Sequence, residues 1–144
     1  MARLGIRLGI IAIVLVGGFI FRDRLSGNAG ELKVGDCFDD TTSAKVSDVQ
    51  HHPCTEGHNA EVVLVGDYPA ANGAPYPSDA FDSYGDTCGN AAFAYVGSNP
   101  PAGLIYSFYY PLEEDWNKGE RKMICYVTTE NLTTMTKSMK AGTQ

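Results

Sequence analysis

The residues with the most chemical potential are four cysteines and three histidines: Cys37, Cys54, Cys88, Cys125, His51, His52 and His58. His51, His52, Cys54 and His58 fall within eight residues, a density of imidazole and thiol donors that zinc or copper could use, and Cys37 could join them. The alternative is oxidation, for which four cysteines allow three pairings. No Cys-x-x-Cys spacing is present, which weakens both the zinc and the redox-enzyme readings. An acidic chain with an even cysteine count fits an oxidising compartment, where Cys54 is better spent on a disulfide. No metal ligands are therefore assigned, and His51, His52, Cys54 and His58 stand as the fallback set.

Catalytic spacing is absent elsewhere. Ser78 and Ser138 have no neighbouring base in sequence and no nucleophile-elbow glycines, and no glycine-rich phosphate cradle occurs. Asp36, Asp39 and Asp40 could offer oxygens to calcium, although acids in that pattern more often solvate a turn. The reading is a non-enzymatic protein without a cofactor. Residues 25–144 hold 7 basic and 16 acidic side chains, a balance of −9 that would repel nucleic acid.

Tyr106, Phe108, Tyr109, Tyr110 and Trp116 could form an aromatic platform for a sugar or a protein. Strand alternation favours a core role instead, with Tyr106, Phe108 and Tyr110 on the inner face and Tyr109 opposite. Trp116 and Arg121 flank a tight turn at Gly119, where the guanidinium can stack on the indole.

These residues need elements to position them. Residues 46–50 and 60–65 read as strands, the first broken by His51-His52-Pro53, and residues 104–110 and 121–128 as two more. Leu32 to Phe38 is a short extended opening. Ser78 reads as the N-cap of a helix with Asp79 in its first turn. Phe81, Tyr84, Cys88, Ala91, Ala92 and Tyr95 at three-to-four spacing give that helix an apolar face that turns Cys88 inward. Gly97 and Pro100-Pro101 end it. Residues 111–119 read as a connection, and residues 128–144 as a short final strand with a frayed tail. The sum is an α+β domain with an antiparallel sheet of about five strands and one main helix. The pairing that suits these elements is Cys37 with Cys54, stapling the opening strands, and Cys88 with Cys125, tying the helix to the last strand.

Leu8 to Phe21 is an apolar run of 14 residues, shorter than the roughly 20 that a membrane span needs. If Arg7 extends its guanidinium to the headgroups, Leu4 to Phe21 covers about 27 Å, enough with local thinning. No small-x-small cleavage site follows, so the expected anchor is uncleaved. Gly5, Gly9 and Ala12 lie along one helical face where a second membrane helix could approach. The resulting organisation is an anchor over 1–24, a short flexible linker over 25–30, an extracytoplasmic domain over 31–140 and a tail over 141–144. Arginines on both sides of the span balance, so the acidic, cysteine-bearing cargo sets the orientation: N-terminus cytoplasmic, C-terminal domain outside.

Val34-Gly35-Asp36-Cys37, Pro53-Cys54, His58-Asn59-Ala60-Glu61-Val62, Cys88 before Phe93 and Tyr95, Trp116-Asn117-Lys118-Gly119-Glu120-Arg121 leading to Cys125, and Thr136-Lys137-Ser138-Met139 occur in that order. In this combination the chain resembles the actinobacterial septum-formation family over nearly all of residues 32–140. It departs from that pattern at Gly57 and Lys137. The resemblance implies a small domain displayed outside a membrane anchor and linked to septum or cell-envelope biology, and it carries no catalytic residues. The expected function is a membrane-anchored interaction domain whose partner is another membrane or envelope protein. An accessory subunit of a larger membrane complex, or a metal-binding protein using His51, His52 and His58, are the alternatives.

Overall fold

The computed structural model describes residues 26–41, 48–77 and 81–143. The N-terminal apolar run with Gly5, Gly9 and Ala12, the start of the strand read at Val46, and the Ser78 cap lie outside those residues. Among the described residues no helix is long and apolar enough to cross a membrane.

Among the described residues six strands form one antiparallel sheet: β1 (Ser26–Asn28), β2 (Cys37–Asp39), β3 (Asp48–His52), β4 (Ala60–Asp67), β5 (Leu104–Tyr109) and β6 (Lys122–Thr129). Their spatial order is β1-β3-β2-β4-β6-β5. The described residues also include two α-helices, α1 (Gly85–Val96) and the short α2 (Glu113–Asn117).

Strand β6 explains why the sheet needs cover on both sides. Met123 to Thr129 are all buried, and such a run reads as near-continuously apolar because neither face meets water. Ile124 and Tyr126 point to one side, where Phe38, Ala60, Val62 and Tyr109 meet Ala29 and Leu32. Cys125 and Val127 point to the other, under Cys88, Ala92 and Val96 of α1. A bulge between Val62 and Leu64 shifts the β4–β6 register, so Val63 and Leu64 both pack toward α1.

Several expectations are corrected. The connector expected to be flexible over residues 25–30 supplies an edge strand, with Ser26 opposite Gln50, and a 3₁₀ turn at Ala29–Glu31 that buries Ala29. His51 and His52 do not break β3; they end it, paired with Phe38 and Cys37. The helix begins at Gly85 after a 3₁₀ turn over Phe81–Tyr84, with no side-chain cap at Tyr84. Residues 113–117 form a helical turn inside the expected connection. Among the described residues no final strand follows β6. Met135 instead makes an isolated bridge with His58 and Met139 is 2% exposed, so the segment is pinned at these residues, while residues 140–143 are exposed.

The aromatic strand is also corrected. Tyr109 is 3% exposed and Tyr106 is 42% exposed. A sheet covered on both faces buries both alternations of its strands, and Tyr109 enters the cluster with Phe38 and Tyr126. Tyr106 lies at the margin of α1, where a Cβ at Gly89 would stand 3.0 Å from its ring. Gly89 is thus the gap in the helix that lets the ring lie flat against it.

Candidate functional site

The most unusual residue is Glu61. It is a carboxylate with no exposed surface, carried on β4 between the apolar Ala60 and Val62 and facing α1. Its Oε1 accepts from the Tyr95 hydroxyl at 2.6 Å and from the Ser138 hydroxyl at 2.6 Å. Its Oε2 accepts from the Met139 backbone N–H at 2.6 Å. Buried charge is tolerated when hydrogen bonds replace its hydration. Burial, then the hydrogen bond to Glu61, pushes the Tyr95 phenol well above its ordinary value.

His58 lies beside it, also without exposed surface. Its backbone N–H and C=O pair with Met135 at 2.9 and 2.7 Å, and its Nδ1 is 2.8 Å from the Glu56 carbonyl. A carbonyl can only accept, so Nδ1 is the donor in this contact. That Nε2 is buried without a hydrogen-bond partner. One donor atom each from Cys37, His58 and Glu61 lie within 4.8 Å of one another.

Both disulfides form in the expected pairing. Cys37–Cys54 has a Cα–Cα distance of 5.2 Å and Cys88–Cys125 of 5.3 Å, and no described cysteine is free. The first joins the start of β2 to the loop after β3; the second ties α1 to β6. Cys54 Sγ is therefore bonded to Cys37 Sγ, and the histidine set read from sequence is divided. His52 Nε2 meets Asp39 Oδ2 at 2.7 Å and His51 Nδ1 lies 3.9 Å from Asp36 Oδ2, while His58 is buried toward Glu61. Alternation along β3 is the reason: adjacent residues 51 and 52 face opposite sides.

The other polar residues of these motifs hold the strands together. Asp36 accepts from the Lys33 N–H at 2.8 Å, closing a turn in which Gly35 has φ 93° and donates to the Val62 carbonyl at 2.9 Å. Asn59 accepts from the Asp40 N–H at 2.6 Å, and its carbonyl accepts from Thr128 Oγ1 at 2.7 Å. Asp40, 8% exposed, accepts from the Tyr109 and Tyr126 hydroxyls, each at 3.1 Å. Burial raises both of these phenols, and the Asp40 charge adds to it.

Arg121 stacks on Trp116 with its guanidinium carbon 3.7 Å from the ring centroid and donates to the Trp116 carbonyl at 2.7 Å. Gly119, at φ 102°, makes the intervening turn. The Trp116 indole N–H reaches the Ala74 carbonyl at 2.8 Å, which pins the proline-rich loop to a cluster with Phe81 and Met123. Trp116, 2% exposed, is thus core rather than platform. Beside this turn a cleft of about 670 Å³ is lined by Glu31, Tyr110, Leu112 and Lys122; its Lys122 Nζ is committed to the Gly30 carbonyl at 2.8 Å.

Sequence reasoning missed the convergence on Glu61. A lone acid inside an apolar strand, with a tyrosine 34 residues later on an inward helix face, was the available signal. The contribution of Ser138 and Met139 carries no local signal, because it comes from a segment without regular structure.

The motif residues from three separate stretches, Cys37, His58 with Glu61, and Ser138-Met139, meet in this one place. The septum-formation family model matches residues 34–144, and the chain belongs to the septum-formation family. No curated protein and no solved structure is a significant match.

Proposed function

We propose that this chain is a membrane-anchored, extracytoplasmic and non-enzymatic docking domain serving septum or cell-envelope assembly. The single observation that carries the reading is a surface rather than a cleft. Among the described residues β5 has a strand neighbour on one side only. Ile105, 39% exposed, and Tyr106, 42% exposed, flank that edge on opposite faces, and Phe93, 69% exposed, lies one helical turn beyond the Gly89 on which Tyr106 rests. An open strand edge offers backbone hydrogen bonds, and apolar side chains on either side of it give an added strand its specificity.

The polar residues at Glu61, Asp40 and Asn59 are consumed in holding elements together, which supports a role without turnover. The two disulfides and the acidic balance support an oxidising location, and the apolar run Leu8 to Phe21 supports an anchor. The partner is an extended segment of another membrane or envelope protein, and the same surface would serve an accessory subunit of a larger membrane complex.

The test is isolation of the full chain from gently solubilised membranes, wild type against Phe93→Asp combined with Tyr106→Asp. The reading expects a stoichiometric membrane or envelope protein with the wild type and its loss with the variant. Identical recovery with both would overturn the assigned surface.

A further inference from the structure

We propose that Cys37, Cys54, His58 and Glu61 form a zinc site that the Cys37–Cys54 disulfide keeps closed, so that reduction of this one bond converts a structural staple into a metal centre. The inference is independent of the docking surface.

The geometry carries it in three steps. First, the donors are gathered: one atom each from Cys37, His58 and Glu61 lie within 4.8 Å of one another, all essentially without exposed surface, and Cys54 is bonded to Cys37. Two thiolates, an imidazole and a carboxylate are a donor set that tetrahedral zinc accepts. Second, the outer contacts that orient metal ligands are in place. A zinc-bound histidine characteristically donates its other ring N–H to a carbonyl or carboxylate, and His58 Nδ1 already meets the Glu56 carbonyl at 2.8 Å. Glu61 is likewise held by Tyr95, Ser138 and the Met139 N–H. Third, His58 Nε2 is buried without a hydrogen-bond partner, a cost that a metal would remove. Zinc bonds of about 2.0–2.3 Å require Cys37, His58 and Glu61 to draw in by roughly 1 Å, and Cys54, whose Sγ lies 3.5 Å from the Gly35 carbonyl, must turn toward them once its bond to Cys37 opens.

The redox step balances with a dithiol as reductant. A thiolate of the dithiol attacks Sγ of Cys54, which is the more exposed of the pair, and the S–S bond breaks with its electron pair leaving on Cys37. The second thiol of the reductant then attacks the mixed disulfide and releases Cys54, so the reductant leaves as a disulfide with two electrons transferred. Zinc binds both cysteines as thiolates, two protons depart, and the metal stays divalent.

The experiment uses the full chain in detergent, reduced anaerobically with a phosphine and titrated with zinc against a chromogenic chelator, and separately with cobalt. The proposal expects one equivalent of tightly bound zinc, a thiolate-to-cobalt charge-transfer absorption, and a far-ultraviolet dichroism spectrum restored to that of the oxidised protein. His58→Ala or Glu61→Gln should weaken binding by at least about tenfold, whereas His51→Ala with His52→Ala should bind as the wild type. Checking that each variant folds while oxidised separates loss of a ligand from loss of structure. Absence of zinc binding in the reduced chain, equal binding by the oxidised chain, or binding indifferent to His58→Ala would each overturn it.

Discussion

The Tyr95 hydroxyl donates to Glu61 at 2.6 Å, so the helix that closes one side of the sheet is joined to the sheet by a carboxylate with no access to water. The same carboxylate gathers Ser138 and Met139 from the C-terminal segment. One side chain thus connects β4, α1 and the last stretch of chain.

Removing it leaves the Met139 N–H and two hydroxyls without their acceptor. Glu61→Ala should destabilise the domain by about 3–5 kcal/mol, and Tyr95→Phe, which loses one charge-assisted bond, by about 1.5–3 kcal/mol. Urea unfolding with the disulfides intact measures both. Equal, small losses would mean that the network is dispensable.

The Arg121 guanidinium combines stacking on Trp116 with hydrogen bonds to the Trp116 and Glu120 carbonyls at 2.7 and 2.8 Å. Lysine cannot reproduce the planar fork. Arg121→Lys should cost about 1–2 kcal/mol and alter the near-ultraviolet dichroism of the chain's single tryptophan.

Alkali should unfold the domain through Tyr109 and Tyr126. Burial, with Asp40 adding to it, raises both phenols above the ordinary value of 10.0. Above that pH the unfolded chain loses phenolic protons that the folded chain keeps, so stability is fully present below pH 10 and falls as pH rises toward the folded values. Each tyrosine contributes a slope of at most about 1.4 kcal/mol per pH unit. Tyr109→Phe should flatten the fall, as read from unfolding midpoints between pH 9 and 11.

The Cys88–Cys125 bond closes a separation of 37 residues and joins α1 to β6. Replacing both cysteines by serine should cost roughly 4 kcal/mol, against roughly 3 kcal/mol for Cys37 and Cys54, whose separation is 17. The order of the two losses, measured by thermal unfolding, is the check.

How far the sequence revealed the fold depends on whether a residue's partner was local. The inward placement of Cys88, the strands at 60–65 and 121–128 and the Trp116–Arg121 stack all follow from short-range patterns, and the structure bears them out. The edge strand at Ser26–Asn28 does not, because Ser-Gly-Asn has the composition of a linker and is a strand only through pairing with β3. Tyr109 was assigned outward by alternation alone, which cannot tell that the second face of the sheet is covered. The buried cluster at Glu61 was hidden for the same reason, since its members are 77 and 78 residues apart in chain. His51 and His52 illustrate the converse: closeness in sequence suggested a shared metal, and strand geometry separates them.

The most direct test of the docking account places a photo-crosslinking amino acid at Ile105 or Phe93 in the full chain, in native membranes, with Thr55 as an exposed control position. The account predicts a single discrete adduct with a membrane or envelope protein from Ile105 and Phe93, abolished by Tyr106→Asp and absent from Thr55. Adducts of equal pattern and yield at all three positions, or none at Ile105 and Phe93, would contradict it.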